Sequence, residues 1–256
     1  MTPKDPPFPR LLDAGESGLV VEFGDGIDEA VNARVIALDR ALAAAAIEGV
    51  REAVPTYRSL LILFDPLVVD RVTLAGRVRE LETAPGVEAA GTLWRVPVLY
   101  GGAHGVDLEA VASQHGLTPD ELVALHAGAL YRVYMIGFAP GFAYLGGLPE
   151  RLHTSRRTDP RPKTPPRSVS IGGRQAAVSP PIEVPSGWHL LGQTPVRSYD
   201  PAREKPFLFA PGDTIRFMPI DAGAYRDLLA AAEAGEIVAT PETMLDATPA
   251  GGAHDA

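Results

Sequence analysis

The sequence predicts an α+β protein in two parts: an N-terminal βαββα sandwich, then a small β-barrel or sandwich of short strands. Three observations lead there. Helical apolar spacing is concentrated in the first third of the chain, set between short β-type runs. From residue 131 onward, glycine and proline recur every few residues among further β-type runs. With 256 residues and 46% hydrophobic content, the chain has material for two cores of ordinary size.

The proline-rich opening, residues 1–10, predicts a disordered tail. An α/β domain is expected over 11–90. "SGLVVEF" (17–23) reads as a strand. A helix follows, in which Val31, Val35, Leu38 and Leu42 are spaced four, three and four apart and share one face. Asp25 or Asp28 can cap its start, and Gly49 lies just beyond its end. "VREAVPTY" and "SLLILF" are two strands close enough to pair as a hairpin, and a second helix turns Leu74, Val78 and Leu81 inward. "TAPGVEAAG" (83–91) suits a hinge.

The second domain, expected over 91–236, opens with the alternating strand "LWRVPVLY". Two short helices follow. The second carries a start signal, with Thr118 at N-cap, Pro119 at N1 and Glu121 at N3. "RSVSIGG", "RQAAVS", "GWHLLGQTPV" and "PFLFAPGDTIRFMPI" read as barrel strands, and "DAGAYRDLLAAAEAGE" (221–236) as a helix packed outside them. Residues 237–256 predict a flexible tail.

Composition excludes several function classes. A net charge of -9 disfavours a nucleic-acid partner. The helix pair at 107–128 is acidic (Asp107, Glu109, Asp120, Glu121) and has no lysine or arginine for phosphates. With no cysteine there is no disulfide and no thiol chemistry. No apolar run reaches membrane-spanning length and the N-terminus lacks a signal-peptide core, so a soluble, cytoplasmic protein without a membrane partner is expected. Triphosphate-loop, zinc-protease and nucleophile-elbow motifs are missing. The six histidines are too scattered to predict a metal site, and His126, ending a helix, reads as a structural hydrogen-bonding residue. Spacing alone picks out no catalytic acid, base or nucleophile.

Three segments carry candidate chemistry. "YRVYMIGFAPGFAYLGGLP" (131–149) is too kinked for regular structure and too apolar for a surface loop. It reads as one wall of a cleft, formed by Phe138, Pro140, Gly141, Phe142 and Tyr144. Residues 151–174 hold six arginines and Lys163 against Asp159 alone, a local balance of +6. Prolines 160, 162, 165 and 166 hold that stretch extended, and arginine forks match carboxylate or phosphate, so it reads as an anion site or an interface. In "EVPSGWHLLGQTP" (183–195), Trp188 sits in a tight turn, either as a barrel-corner core residue or as a stacking platform. His189 and Gln193 add polar groups.

Together these segments resemble the family that includes the 5-oxoprolinase B subunit, the sporulation-kinase inhibitor KipI and allophanate hydrolase subunit 1. The likeness runs over residues 11–235, carried also by "FAPGDTIRFMPI" and "VPVLYGG". It implies that the second domain is a cyclophilin-like β-barrel. It also implies a B subunit that works with companion subunits A and C in ATP-dependent opening of 5-oxoproline to glutamate, with ATP used by the assembled complex. Other members imply alternatives: a regulator that binds a sensor histidine kinase, or a component of the allophanate hydrolase and urea carboxylase type. On this resemblance, Arg161 and Arg167 are expected to hold a small carboxylate-bearing substrate near Arg156 and Arg157, with Gln175, His189 and Gln193 as polar lining. The chain departs from the family pattern at Ser155, Arg167, Ser186 and Gln193; at Arg167 a cation stands where glycine is usual.

Overall fold

The computed structural model describes residues 8–83 and 91–242, in two compact units. One comprises residues 1–90 with Tyr134–Ile136, the other Gly91–Val133 with Gly137–Ala256. Residues 84–90 of the expected hinge, and most of both expected tails, lie outside the described residues.

The first unit runs β1 (Arg10–Asp13), β2 (Gly18–Glu22), α1 (Glu29–Ala45), β3 (Val50–Pro55), β4 (Ser59–Phe64) and α2 (Arg71–Thr83). Its sheet is antiparallel in the order β1-β2-β4-β3. Strand β1, absent from the expected βαββα order, makes the order ββαββα. Four residues are too few for a periodic signal, and charge ties the strand in: Arg10 Nη2 lies 3.0 Å from Glu22 Oε2 and 2.8 Å from Asp25 Oδ1. Between the two capping candidates, Asp28 caps α1, its Oδ1 accepting the Val31 N–H at 3.0 Å. The helix closes on Ala46 in the left-handed region, three residues before Gly49. Val35, Leu38 and Leu42 pack with Leu74 and Val78 of α2 on the apolar side of β2 and β4.

The second unit runs β5 (Leu93–Tyr100), α3 (Leu108–Gln114), α4 (Pro119–Ala127), β6 (Leu130–Ile136, of which Tyr134–Ile136 group with the first unit), β7 (Ala143–Gly146), β8 (Arg161–Thr164), β9 (Ser168–Gly172) and β10 (Gln175–Val178). It continues through β11 (Val184–Ser186), β12 (His189–Gln193), β13 (Thr214–Pro219), α5 (Ala222–Glu233) and β14 (Thr240–Glu242). The order β12-β9-β10-β7-β6-β13-β5 is closed by pairing of β12 with β5, giving a seven-stranded barrel of the cyclophilin-like kind. Closure leaves no open edge among those seven strands. Beside the barrel, β8 and β11 form a two-stranded ribbon. Helix α4 starts with the expected capping box, Thr118 and Glu121 each bonding the other's backbone N–H.

The expected tail from 237 also needs correction, because β14 pairs with β5. Glu242, 4% exposed at its side chain, meets Arg216 at 3.2 Å and Arg95 at 3.3 Å. An acid flanked by two cations on neighbouring strands anchors a segment whose composition predicts none.

Candidate functional site

Beside the β8–β11 ribbon lies a cleft of about 300 Å³, lined by Phe138, Phe142, Tyr144, Arg156, Arg157, Pro160, Pro185, Ser186, Gly187 and Trp188. Its geometry starts with a turn. Ala139–Phe142 close a β-turn through Phe142 N–H to Ala139 O at 3.0 Å, with Pro140 second and Gly141 third at φ +82. A side chain at Gly141 would also come within 2.6 Å of Tyr199 Cβ, so only glycine fits. Pro140 and Gly141 thus shape the wall without lining it. Phe138, just before the turn, is held at φ +70 with 63% of its surface exposed. A strained backbone that presents a large apolar side chain to solvent is costly for stability alone.

Trp188 forms the floor. Its indole lies directly over Gly172 of β9, where a Cβ would come within 2.7 Å of the ring. The rings of Phe142 (6.4 Å) and Tyr144 (5.9 Å) meet it edge-on. The ring thus serves both as a core residue on one side and as cleft lining on the other. The basic loop is tied to this floor by Arg157 N–H to Gly187 O at 2.7 Å and by a hydrogen bond between His189 Nε2 and Ser155 O at 2.9 Å.

The arginines divide by what they hold. Arg161 donates both terminal nitrogens to Asp107, at 2.9 and 2.7 Å, while Arg157 reaches the same carboxylate at 3.3 Å. Asp107 also accepts the Leu190 N–H at 2.7 Å. Burial works to raise its carboxyl, but the Arg161 and Leu190 hydrogen bonds, then the charges of Arg161 and Arg157, carry it below the ordinary range. Arg167, at φ +61, is spent on Glu233 of α5 at 2.6 Å. Arg156 is different: among the described residues it has no ion pair, and its guanidinium lies 5.7 Å from the Trp188 ring centre. Burial raises the Tyr144 hydroxyl above its ordinary value and the Arg156 charge acts against that, which places the cation within electrostatic reach of the cleft.

Magnitudes identify the available cation. An exposed cation–π contact is worth about 0.5–1 kcal/mol. Breaking the Arg161–Asp107 pair, whose arginine keeps 24% side-chain exposure, costs about 2–3 kcal/mol. Of the two arginines that line the cleft, Arg156 is therefore the less committed to a partner, with Arg157 second.

Of the residues expected to form the site, the cleft gathers Phe138, Phe142, Tyr144, Arg156, Arg157 and Trp188. Arg161, Arg167, Gln175, His189 and Gln193 are not among its lining residues. Gln175 belongs to β10. Gln193 hydrogen-bonds His104 and donates to Pro166 O at 3.1 Å. Asp107, 6% exposed, is the residue that the sequence alone does not reveal. It precedes a helix like an ordinary cap yet caps nothing; its partners lie 50 to 83 positions away. Among the described residues no group of three or more His, Asp or Glu could hold a metal ion, and no helix is long and apolar enough to cross a membrane.

The chain matches the model of the carboxyltransferase domain, subdomains C and D, over residues 9–209. It is 39% identical to the 5-oxoprolinase B subunit of Escherichia coli O157:H7, covering 84% of this chain and 97% of that one. It is 36% identical to the 5-oxoprolinase B subunit of Bacillus subtilis (strain 168), covering 85% and 97%. The crystal structure of TTHA0988 superposes with a TM-score of 0.74 at 39% identity over 80% of this chain, which spans 40% of that longer protein. The Kluyveromyces lactis urea amidolyase, 18% identical, shares the fold with a TM-score of 0.75 over 91% of this chain and 16% of its own. The chain belongs to the carboxyltransferase C and D family, in the group of the 5-oxoprolinase B subunits.

Proposed function

We propose that the chain is the B component of a multi-subunit, ATP-dependent 5-oxoprolinase in the cytoplasm, working with subunits A and C. The carrying observation is Arg156, free of ion pairs among the described residues, above Trp188 in an aromatic cleft. It stands on a chain whose relatives, matched over 97% of their own length, are 5-oxoprolinase B subunits. In this reading Arg156 takes the carboxylate of 5-oxoproline, and the flat five-membered ring lies against Trp188, Phe142 and Tyr144. The anchor role passes to Arg156 from Arg161, whose fork Asp107 occupies.

Ring opening breaks the lactam C–N bond, forms a C–O bond from water and leaves a proton on the amine. Phosphoryl transfer from ATP to the lactam oxygen activates the carbon for that attack, ring opening then leaves an acyl phosphate, and a second water cleaves it to the carboxylate and free phosphate. ATP is consumed by the assembled complex. Arg157, held by Asp107 at only 3.3 Å, is the cation beside the anchor that can turn toward negative charge developing on the lactam oxygen. The described lining includes no His, Asp or Glu to activate the Ser186 or Tyr144 hydroxyl, so attack on the ring is assigned to water positioned by the companion subunits.

The test is 5-oxoproline-dependent ATP hydrolysis by purified subunits A and C, with and without this chain. Turnover is expected only with the chain present. Arg156→Ala should lower kcat/KM by about 100-fold with the unfolding midpoint unchanged. Turnover without the chain, or full activity in the variant, would overturn the reading.

A further inference from the structure

A second and larger cavity, about 580 Å³, opens in the barrel unit between β5 and the loop preceding β13. Thr92, Trp94, Leu208, Ala210, Asp213 and Ile237 line it together with Phe207 and the consecutive charged residues Arg203, Glu204 and Lys205. None of these residues belongs to the cleft above.

Its parts are fixed in different ways. The Asp213 carboxylate accepts the Thr92 N–H on one oxygen at 2.9 Å, and the Trp94 indole N–H and the Ala210 N–H on the other at 3.0 and 2.9 Å. It therefore acts as a brace that sets the indole plane, with three of its roughly four acceptor positions taken. Phe209 meets Trp94 edge-on at 6.0 Å, completing the support. Phe207 and Ile237 remain 48% and 55% exposed, so the cavity is walled by apolar groups that the fold leaves in water. A scattered exposed apolar residue needs no explanation; two flanking a concave wall built on a braced tryptophan do.

The charges at the same cavity are incompletely paired. Arg203 donates to Arg197 O, but its nearest carboxylate, Asp200, is 3.9 Å away, and its Nη1 is buried with no hydrogen-bond partner among the described residues. Desolvation, opposed by Asp200, moves this guanidinium below its ordinary pKa, the mark of a cation short of compensation. Lys205, exposed two positions on, has no ion pair among the described residues.

We propose that this cavity is a binding site for a nucleotide: a flat ring against Trp94 and Phe207, with phosphates toward Arg203 and Lys205. Stacking on an aromatic wall suits any base, the rim cations suit a polyphosphate, and the volume falls in the range of small-molecule sites. A bare anion would leave the apolar wall wet, and an apolar ligand would leave the cations uncompensated. The inference does not depend on the oxoprolinase reading.

The experiment is calorimetric titration of the full chain, alone, with ADP, adenosine and tripolyphosphate. ADP should bind with Kd below about 1 mM, and adenosine and tripolyphosphate each about tenfold more weakly. Lys205→Glu and Phe207→Ala, both at exposed positions, should each weaken ADP by about five- to tenfold while leaving the unfolding midpoint in place. Absence of saturable ADP binding up to about 10 mM would overturn the proposal. Tripolyphosphate binding as tightly as ADP would reduce the cavity to an anion patch, and equal binding of adenosine to an apolar surface; either result removes the nucleotide. Wild-type affinity in both variants would place any binding elsewhere. Because neither 5-oxoproline nor a companion subunit is present, failure here leaves the oxoprolinase reading standing.

Discussion

At Asp107 burial and pairing oppose each other, and pairing wins by arranging four donors around one carboxylate. Removing the charge leaves Arg161 without its fork and the Leu190 N–H without an acceptor. Loss of a fully buried pair member costs about 3–5 kcal/mol, but Arg161 and Arg157 keep 24% and 29% side-chain exposure, so water takes up part of the deficit. Asp107→Ala should therefore lower unfolding free energy by about 2–3 kcal/mol in urea, against less than about 1 kcal/mol for Arg157→Ala. Equal losses would show that the 3.3 Å contact matters as much as the fork. The lowered carboxyl implies a pH signature: its stabilisation is complete above the unfolded aspartate range and is lost as pH falls through the folded value below it. None of this is legible in the sequence, where Asp107 is one acid among several before a helix. Arg156, by contrast, stands out through the local charge excess, although that excess cannot say which of the six arginines lines the cleft without an ion pair.

Element positions show the same division. The periodicity of α1, the capping box of α4 and the β-type runs that form β9, β10, β12 and β13 are local signals, and all are readable. Strands β1 and β14 are held by ion pairs with distant partners, so no local pattern announces them. The Trp188 seat is intermediate: a tryptophan in a glycine-proline turn is visible, but its contact with Gly172 depends on β9 pairing with β12. That pairing, with His189 opposite Ile171, prevents the strands from separating to admit a methyl group. Gly172→Ala would put a Cβ 2.7 Å from the indole, so the ring must leave the Phe142–Tyr144 cluster. The expected result is a changed near-UV circular dichroism signal and a stability loss of about 2 kcal/mol, as for overpacked cores. Activity of the assembled complex should fall along with it. An unchanged tryptophan signal would mean that the ring is not seated on β9.

Across the whole molecule, the two units can be followed separately because both tryptophans, Trp94 and Trp188, belong to the barrel unit. That unit buries a histidine completely. His126 ends α4, stacks on Phe217 at 4.9 Å and shares a 2.8 Å hydrogen bond between its Nδ1 and the Tyr100 hydroxyl. A helix C-terminus favours a cation, but burial overrides it and pulls the imidazole down to about 3. Reading this residue as structural follows from its surroundings: aromatic groups of Tyr100, Tyr131 and Phe217 enclose the ring. The linkage has a definite sign. Between the ordinary histidine range and the folded value, the unfolded chain binds a proton that the folded chain refuses. Stability is therefore complete above about pH 6.5 and falls as pH drops, by up to about 1.4 kcal/mol per unit from this group alone. Tryptophan emission in urea, measured at a series of pH values, should show this limb in the wild type. His126→Gln, which keeps a hydrogen-bonding side chain near Tyr100 without a titrating ring, should flatten it between about pH 6.5 and 4.5 even if the variant starts less stable. Parallel curves for the two proteins would transfer the acid sensitivity to another group and remove His126 from the account of barrel stability.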